Sequence, residues 1–202
     1  MFNLLTSLSS LLFSERETEI SIKDLSDSQT NSLYSPGSYN SFIYLVSYQD
    51  PIVKAAIKEN KFHNNIKAAQ ILGSWLSLWT KHQIVNTLYI PIPLSSKRKR
   101  DRGYNQVERI LEAVNQNLPI NTSSLRKKKH TLPQVELSRK DRLNNLKEAF
   151  TFHLTESDLE NYQQIVIVDD VITTGTTLNE ARATIAPLIP SHIKITCLAL
   201  AH

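Results

Sequence analysis

The 202-residue chain has one cysteine, Cys197. That excludes an internal disulfide and any zinc site built from several thiolates. Cys197 lies in an alternating apolar run and reads as core. Glycine is nearly as scarce, with four residues at positions 37, 73, 103 and 175. They cannot supply the G-x-x-x-x-G-K-[ST] loop of an ATPase or the G-x-G-x-x-G loop of a dinucleotide-binding fold, so both classes drop out. The six histidines, at 63, 82, 130, 153, 192 and 202, show no paired ligand spacing, and no transition metal is expected. Long apolar runs are missing too. The opening Met1–Phe13 is apolar at helical spacing, but it has no basic region before it and is too short to span a bilayer. It reads as a docking helix, and a cytoplasmic location is the simplest expectation.

What the chain does have is basic charge in one region. The formal net charge is +4, yet Lys97–Arg142 alone carries thirteen Lys and Arg against five Asp and Glu. The remainder is therefore net acidic, and the basic region favours a phosphate or nucleic-acid partner.

Residues 1–38 read as an N-terminal helix and a polar connector, with Ser14–Gly37 rich in Ser, Thr, Asn and acids and ending in the turn signal Ser35-Pro36-Gly37. Residues 39–202 read as one α/β domain. Tyr39–Ser47 alternates like a strand, Pro51–Asn60 and Ile66–Lys81 have helical periodicity, and Thr87–Ile92 is a buried strand. Trp75 and Trp79 fall on the apolar face of the second of these helices and read as core or docking surface. A polar basic loop follows, then a helix over Asn105–Asn117. Short strands are expected near Ser123–Arg126 and Ala149–His153, with a helix over Ser138–Lys147 between them. Ile165–Val168 is a strand, Thr176–Ala186 a helix and His192–Ala201 the last strand. Alternating strands and helices with continuous apolar runs predict a mostly parallel sheet covered by helices on both faces.

The most informative segment is Ile165–Thr177, IVIVDDVITTGTT. A buried strand ends in Asp169 and Asp170. After Val171 and Ile172 come Thr173, Thr174, Gly175, Thr176 and Thr177, and then a helix. In open parallel sheets ligands bind at the carboxyl ends of the strands. There Gly175 permits a tight turn, successive amides and threonine hydroxyls cradle a phosphate, and the helix N-terminus adds its dipole. Two acids beside a phosphate cradle need another task. Accepting hydrogen bonds from the neighbouring hydroxyls of a ribose supplies one, so a ribose 5-phosphate group satisfies both halves of the segment.

This segment resembles the signature of type I phosphoribosyltransferases, which bind phosphoribosyl pyrophosphate. Upstream, Pro91-Ile92-Pro93-Leu94 leads into Lys97, Arg98, Lys99, Arg100, Arg102, Gly103, Tyr104, Asn105 and Gln106, a cationic loop suited to neutralising a pyrophosphate leaving group. Together with a stretch holding Arg126, Lys127, Lys128, Lys129, Gln134 and Arg142, where related enzymes carry a flexible hood, this pattern is similar to the ComF family. Its members are phosphoribosyltransferase-like proteins linked to DNA uptake in natural competence. They usually carry an N-terminal four-cysteine zinc module. Here Leu11-Leu12-Phe13 is similar but those cysteines are missing, so no zinc is expected.

The resemblance implies the type I phosphoribosyltransferase fold. It implies that Asp169 and Asp170 hold the ribose hydroxyls and that Val171 and Thr173–Thr177 hold the 5-phosphate. It also implies Mg²⁺ bound mainly through ligand oxygens, with Asp169 and Asp170 the protein groups in reach, and an unidentified nitrogen acceptor. No side chain is an evident general base. The competing expectation is a protein of the competence machinery that binds single-stranded DNA through its basic loops, with Tyr104 stacked on a base.

Overall fold

The computed structural model describes residues 16–84, 86–128 and 149–202. The helix expected over Met1–Phe13, the helix expected over Ser138–Lys147, and Lys129, Gln134 and Arg142 lie outside these residues. Among the described residues no helix is long and apolar enough to cross a membrane.

Five strands form the main sheet in the order β1-β2-β7-β6-β3. They are β1 (Gly37–Tyr39), β2 (Phe42–Val46), β3 (Thr87–Pro91), β6 (Gln164–Val171) and β7 (Lys194–Ala201). β1 runs antiparallel to β2, and every other neighbouring pair is parallel. The mostly parallel sheet expected from the sequence is therefore present. β6 shows why its sequence is continuously apolar. Val166 and Val168 pack into the core on one face, Ile165 and Ile167 into the core on the other, and a strand covered on both sides needs apolar residues at every position.

Helices α3 (Pro51–His63), α4 (Ile66–Thr80) and α6 (Gln106–Glu112) build the first of these cores. Trp75 is fully buried there, and its indole N–H donates to the Thr30 carbonyl at 2.8 Å. Trp79 is 7% exposed, so both tryptophans belong to the core. The second core is covered by α8 (Thr176–Ile185), the short helix α7 (Glu156–Leu159) and a two-stranded antiparallel ribbon of β4 (Leu125–Lys127) and β5 (Phe150–Phe152). Cys197 lies in it, and burial pushes its thiol up to about 11, so it is packing material and not a nucleophile.

Two expectations are corrected in the N-terminal region. Tyr39–Ser47 is not one strand but the turn and second strand of a hairpin, because Asn40 and Ser41 both take positive φ, 47° and 68°. Two successive left-handed residues reverse the chain in the sense that suits twisted strands. The expected connector Ser14–Gly37 contains α1 (Glu17–Lys23) and α2 (Asp27–Ser32). α2 starts at a capping box in which Ser26 accepts from the Gln29 amide at 3.2 Å and Gln29 reaches back to the Ser26 amide at 3.0 Å.

α1 is fixed to α3 through Glu59, whose side chain has no exposed surface. Arg16 donates to both its carboxylate oxygens, at 3.0 and 2.7 Å, and Thr18 donates at 2.6 Å. Burial by itself would raise the Glu59 carboxyl, but these bonds and the Arg16 charge outweigh it and bring it to about 2. A carboxyl lowered from 4.5 to about 2 contributes stability that is fully present above pH 4.5 and is lost as pH falls towards 2. Arg16→Met is therefore expected to lower the stability to urea at neutral pH, because it leaves the buried Glu59 carboxylate without its cation. The difference from the parent protein should shrink as pH drops through that window. Urea melts at several pH values check it, and a difference independent of pH would contradict the assignment.

Candidate functional site

The carboxyl end of β6 forms the floor of a cleft of about 580 Å³. Asp170 is 6% exposed, and its Oδ1 accepts from the Val171 amide at 3.0 Å. Its Oδ2 accepts from Gln106 Nε2 at 3.2 Å and lies 3.7 Å from Lys61 Nζ. Asp169 turns into the cavity and accepts from the Asp170 amide at 2.9 Å. Burial, and then the neighbouring charge of Asp170, push the Asp169 carboxyl well above the usual carboxylate range. The adjacent charges repel, and the Lys61 ammonium offsets this at Asp169 only in part, so its carboxyl stays raised. A raised carboxyl that lines a cavity marks a candidate binding element.

After β6 the chain turns over Ile172, whose amide donates to the Ala201 carbonyl at 2.9 Å, into the exposed residues Thr173 and Thr174. Gly175 is the N-cap of α8 at φ 76°, and no side chain caps the helix. The first amides of α8 therefore keep their donor capacity, with the helix dipole behind them. A Cβ on Gly175 would come within 2.4 Å of Phe42 Cε2, so the loop lies directly against the β2 aromatic. The hydroxyls of Thr174 and Thr176 are 2.9 Å apart, and Thr173 and Thr177 line the cavity together with Val171. Of the expected ribose-phosphate residues, Asp169, Asp170, Val171, Thr173 and Thr177 line the cavity, and Thr174, Gly175 and Thr176 form the turn beside it.

The cationic segment after β3 corrects another expectation. Ser96–Arg102 is not a loop but the helix α5, capped by Ser95 at its start and by Gly103, at φ 81°, at its end. It contains no buried residue, so it leaves no apolar period to read. Of the five expected pyrophosphate-loop residues, Arg98 lines the cavity. Lys97 and Arg100 are exposed, and Gly103 ends the helix. Arg102 hydrogen-bonds Gln106 Oε1 and lies over the Phe62 ring, 5.4 Å from its centre.

The residues following α5 act as a bracket. Asn105 caps α6 by accepting from the Val107 amide at 3.0 Å and donates to the Ile92 carbonyl at 3.0 Å. Gln106 joins Arg102 to Asp170, and its carbonyl accepts from Asn60 at 3.1 Å. Tyr104 was expected as a base-stacking candidate. Its hydroxyl donates to the Asn60 carbonyl at 2.8 Å and accepts from the Asn64 amide at 2.9 Å, tying the end of α3 to the start of α6.

Sequence reasoning missed one whole wall of the cavity. Lys54, Lys58 and Lys61 recur along one face of α3 and line it, beside Tyr48 and Phe62. Of the expected hood residues, Lys127 on β4 also lines it. Arg126 is exposed and donates to the Ser123 carbonyl at 3.1 Å. The Lys128 amide bonds the Ala149 carbonyl at 2.8 Å. Among the described residues no cluster of three or more His, Cys, Asp or Glu is arranged to hold a metal ion.

An acid pair, a threonine loop at a helix N-terminus and a cationic rim over a parallel sheet define a phosphoribosyltransferase-type domain. The Phosphoribosyl transferase domain family matches residues 82–202. The chain is 32% identical to Competence protein F of Haemophilus influenzae over 85% of its own length and 77% of that protein's. It is 27% identical to DNA utilization protein YhgH of Escherichia coli K12, over 82% of this chain and 74% of the relative. It is 28% identical to Competence protein ComFC of Streptococcus pneumoniae, over 60% of this chain and 51% of the relative. The chain belongs to the ComF family of phosphoribosyltransferase-like proteins.

Proposed function

We propose that this protein binds phosphoribosyl pyrophosphate and transfers its phosphoribosyl group to a nitrogen acceptor. The observation that carries the reading is the Asp169–Asp170 pair set beside an uncapped helix N-terminus, with the pair's electrostatic strain relieved by a sugar diol. The 5-phosphate takes the amides and hydroxyls of Thr173–Thr177, and the ribose hydroxyls donate to the two carboxylates. Arg98 and Lys127 face the pyrophosphate. The C1–O bond breaks with its electron pair leaving on pyrophosphate, the acceptor nitrogen's lone pair forms the new bond to C1, and that nitrogen's proton passes to water.

Positive charge builds on the sugar as the bond breaks, and the acids below stabilise it, while the cations take the charge of the departing group. The two carboxylates fit Mg²⁺ only as part of its shell, with ligand and water oxygens completing it, and the ion would supply charge neutralisation of the pyrophosphate.

A second reading is favoured by the outward cations of α5. Lys97, Lys99 and Arg100 are exposed and do not line the cavity, a surface suited to a nucleic-acid backbone. Two relatives of this chain are named as competence proteins and another as a DNA utilization protein.

One experiment separates the readings. With Mg²⁺ present, phosphoribosyl pyrophosphate at about 100 times its dissociation constant is expected to stabilise the protein by about 2.7 kcal/mol, seen as a raised thermal midpoint. Pyrophosphate should be released when a panel of nitrogen bases is added. No thermal shift sinks the transferase reading. Steeply salt-dependent binding of single-stranded DNA without any shift would leave the second.

A further inference from the structure

The strand order fixes which side of the acid pair each cation occupies. From β6, one direction leads to β3, whose exit carries Pro93–Ser95 and Arg98. The other leads across β7 to β2, whose exit carries Tyr48 and the start of α3 with Lys54 and Lys58. Arg98 and Lys54 therefore lie on opposite sides of Asp169 and Asp170. A single displacement at an anomeric carbon, with no covalent intermediate on the protein, brings the nucleophile in on the face away from the leaving group. If pyrophosphate leaves towards Arg98, the acceptor enters from the side of Tyr48.

That side is cationic where a neutral ring would need no charge. Lys54 and Lys58 are exposed to the cavity and make no ion pair among the described residues, whereas Lys61 is drawn to Asp170. Like charges four residues apart on a helix cost stability and offer nothing to the fold. The Lys54 ammonium stands 5.9 Å from the centre of the Tyr48 ring. A flat heterocycle lying on Tyr48 would thus present its edge substituent to Lys54 and Lys58. At about 580 Å³ the cavity falls within the range of sites for small ligands.

We propose that the acceptor is a planar nitrogen heterocycle bearing an anionic group, a carboxylate or a phosphate, which Lys54 and Lys58 bind beside Tyr48. The inference rests on the transferase reading above and adds the class of the second substrate.

The test uses matched probes that differ by one charged group: pyridine-3-carboxylate against pyridine-3-carboxamide, 6-carboxyuracil against uracil, and pyridine-3-phosphonate against pyridine. Each is titrated calorimetrically into the full chain with Mg²⁺ and saturating phosphoribosyl pyrophosphate. The same titrations are run on Lys54→Met with Lys58→Met, and the preference is taken as a ratio within each protein.

The expected result is that at least one charged probe binds about tenfold or more tightly than its neutral partner. The ratio should fall to near one in the variant. The carboxylate and phosphonate pairs show which anion is meant. Equal binding of the charged and neutral members of every pair, a preference that survives in the variant, or binding of no probe at all overturns the inference. Failure of phosphoribosyl pyrophosphate itself to bind, seen in the first titration, overturns the transferase reading along with it.

Discussion

Gly175→Ala is expected to leave a protein that folds less stably, by about 2–5 kcal/mol, and no longer holds a ribose 5-phosphate group. Two independent costs meet at this position. The backbone sits at φ 76°, where a side chain costs about 1–2 kcal/mol, and the added Cβ falls 2.4 Å from Phe42 Cε2 in a packed core, where overpacking costs about 1–3 kcal/mol. Relief requires Phe42 or the loop to move. Phe42 is 1% exposed and held in the second core, so the loop is the part that gives. Shifting it pulls Thr173–Thr177 away from the acids. Thermal melts with and without phosphoribosyl pyrophosphate check both halves of the expectation, and a variant with the parent's midpoint and ligand response would show that the turn tolerates a side chain.

Asp169→Asn with Asp170→Asn separates binding from stability in the opposite direction. Each charge-assisted hydrogen bond to a ribose hydroxyl is worth about 1.5–3 kcal/mol, so neutralising both acids is expected to weaken phosphoribosyl pyrophosphate at least about 100-fold and to stop pyrophosphate release. The unliganded protein should be no less stable at neutral pH. A carboxyl held above its ordinary range by burial and a neighbouring charge destabilises the ionised fold, and asparagine removes that charge, while at residue 170 the single amide oxygen can still accept from either the Val171 amide or Gln106. A midpoint at or above the parent's, with ligand response gone, is the signature sought. Full ligand response in this variant would show that the acids do not hold the sugar.

The segment Ile165–Thr177 was legible because each of its parts excludes alternatives. A strand apolar on both faces, two acids at its end and a glycine before a helix leave little room for a merely structural account. Arg102, Gly103, Asn105 and Gln106 were legible as a motif but not in their task. Gln106 is the contact that props Asp170, and only the three-dimensional path of α6 brings it there. The α3 wall was invisible for a different reason. Lysines spaced as Lys54, Lys58 and Lys61 are look identical on a solvated helix face, and the order of strands decides what that face overlooks. α5 escaped because a helix without an apolar stripe has no hydrophobic period. The hairpin at Asn40-Ser41 escaped because serine rarely takes the positive φ that the turn demands. The capping box at Ser26 and Gln29, by contrast, was present in the sequence as a readable signal for α2.

The position of β7 between β2 and β6 also has a consequence for how the molecule comes into being. In the main sheet β2 has the short β1 on one side and β7 on the other, and Ile43 lies in register with Leu198. During synthesis the hairpin β1–β2 and the helices α3 and α4 emerge long before the strand that joins them to β6. Until Lys194–Ala201 leaves the ribosome, β2 presents an unpaired edge and the core under α3 and α4 lacks Leu198, Leu200 and Ala201. The acid pair and the lysine helix come from segments more than a hundred residues apart, joined through Gln106 and seated on a sheet that β7 completes, so the cavity rests on contacts distant in sequence.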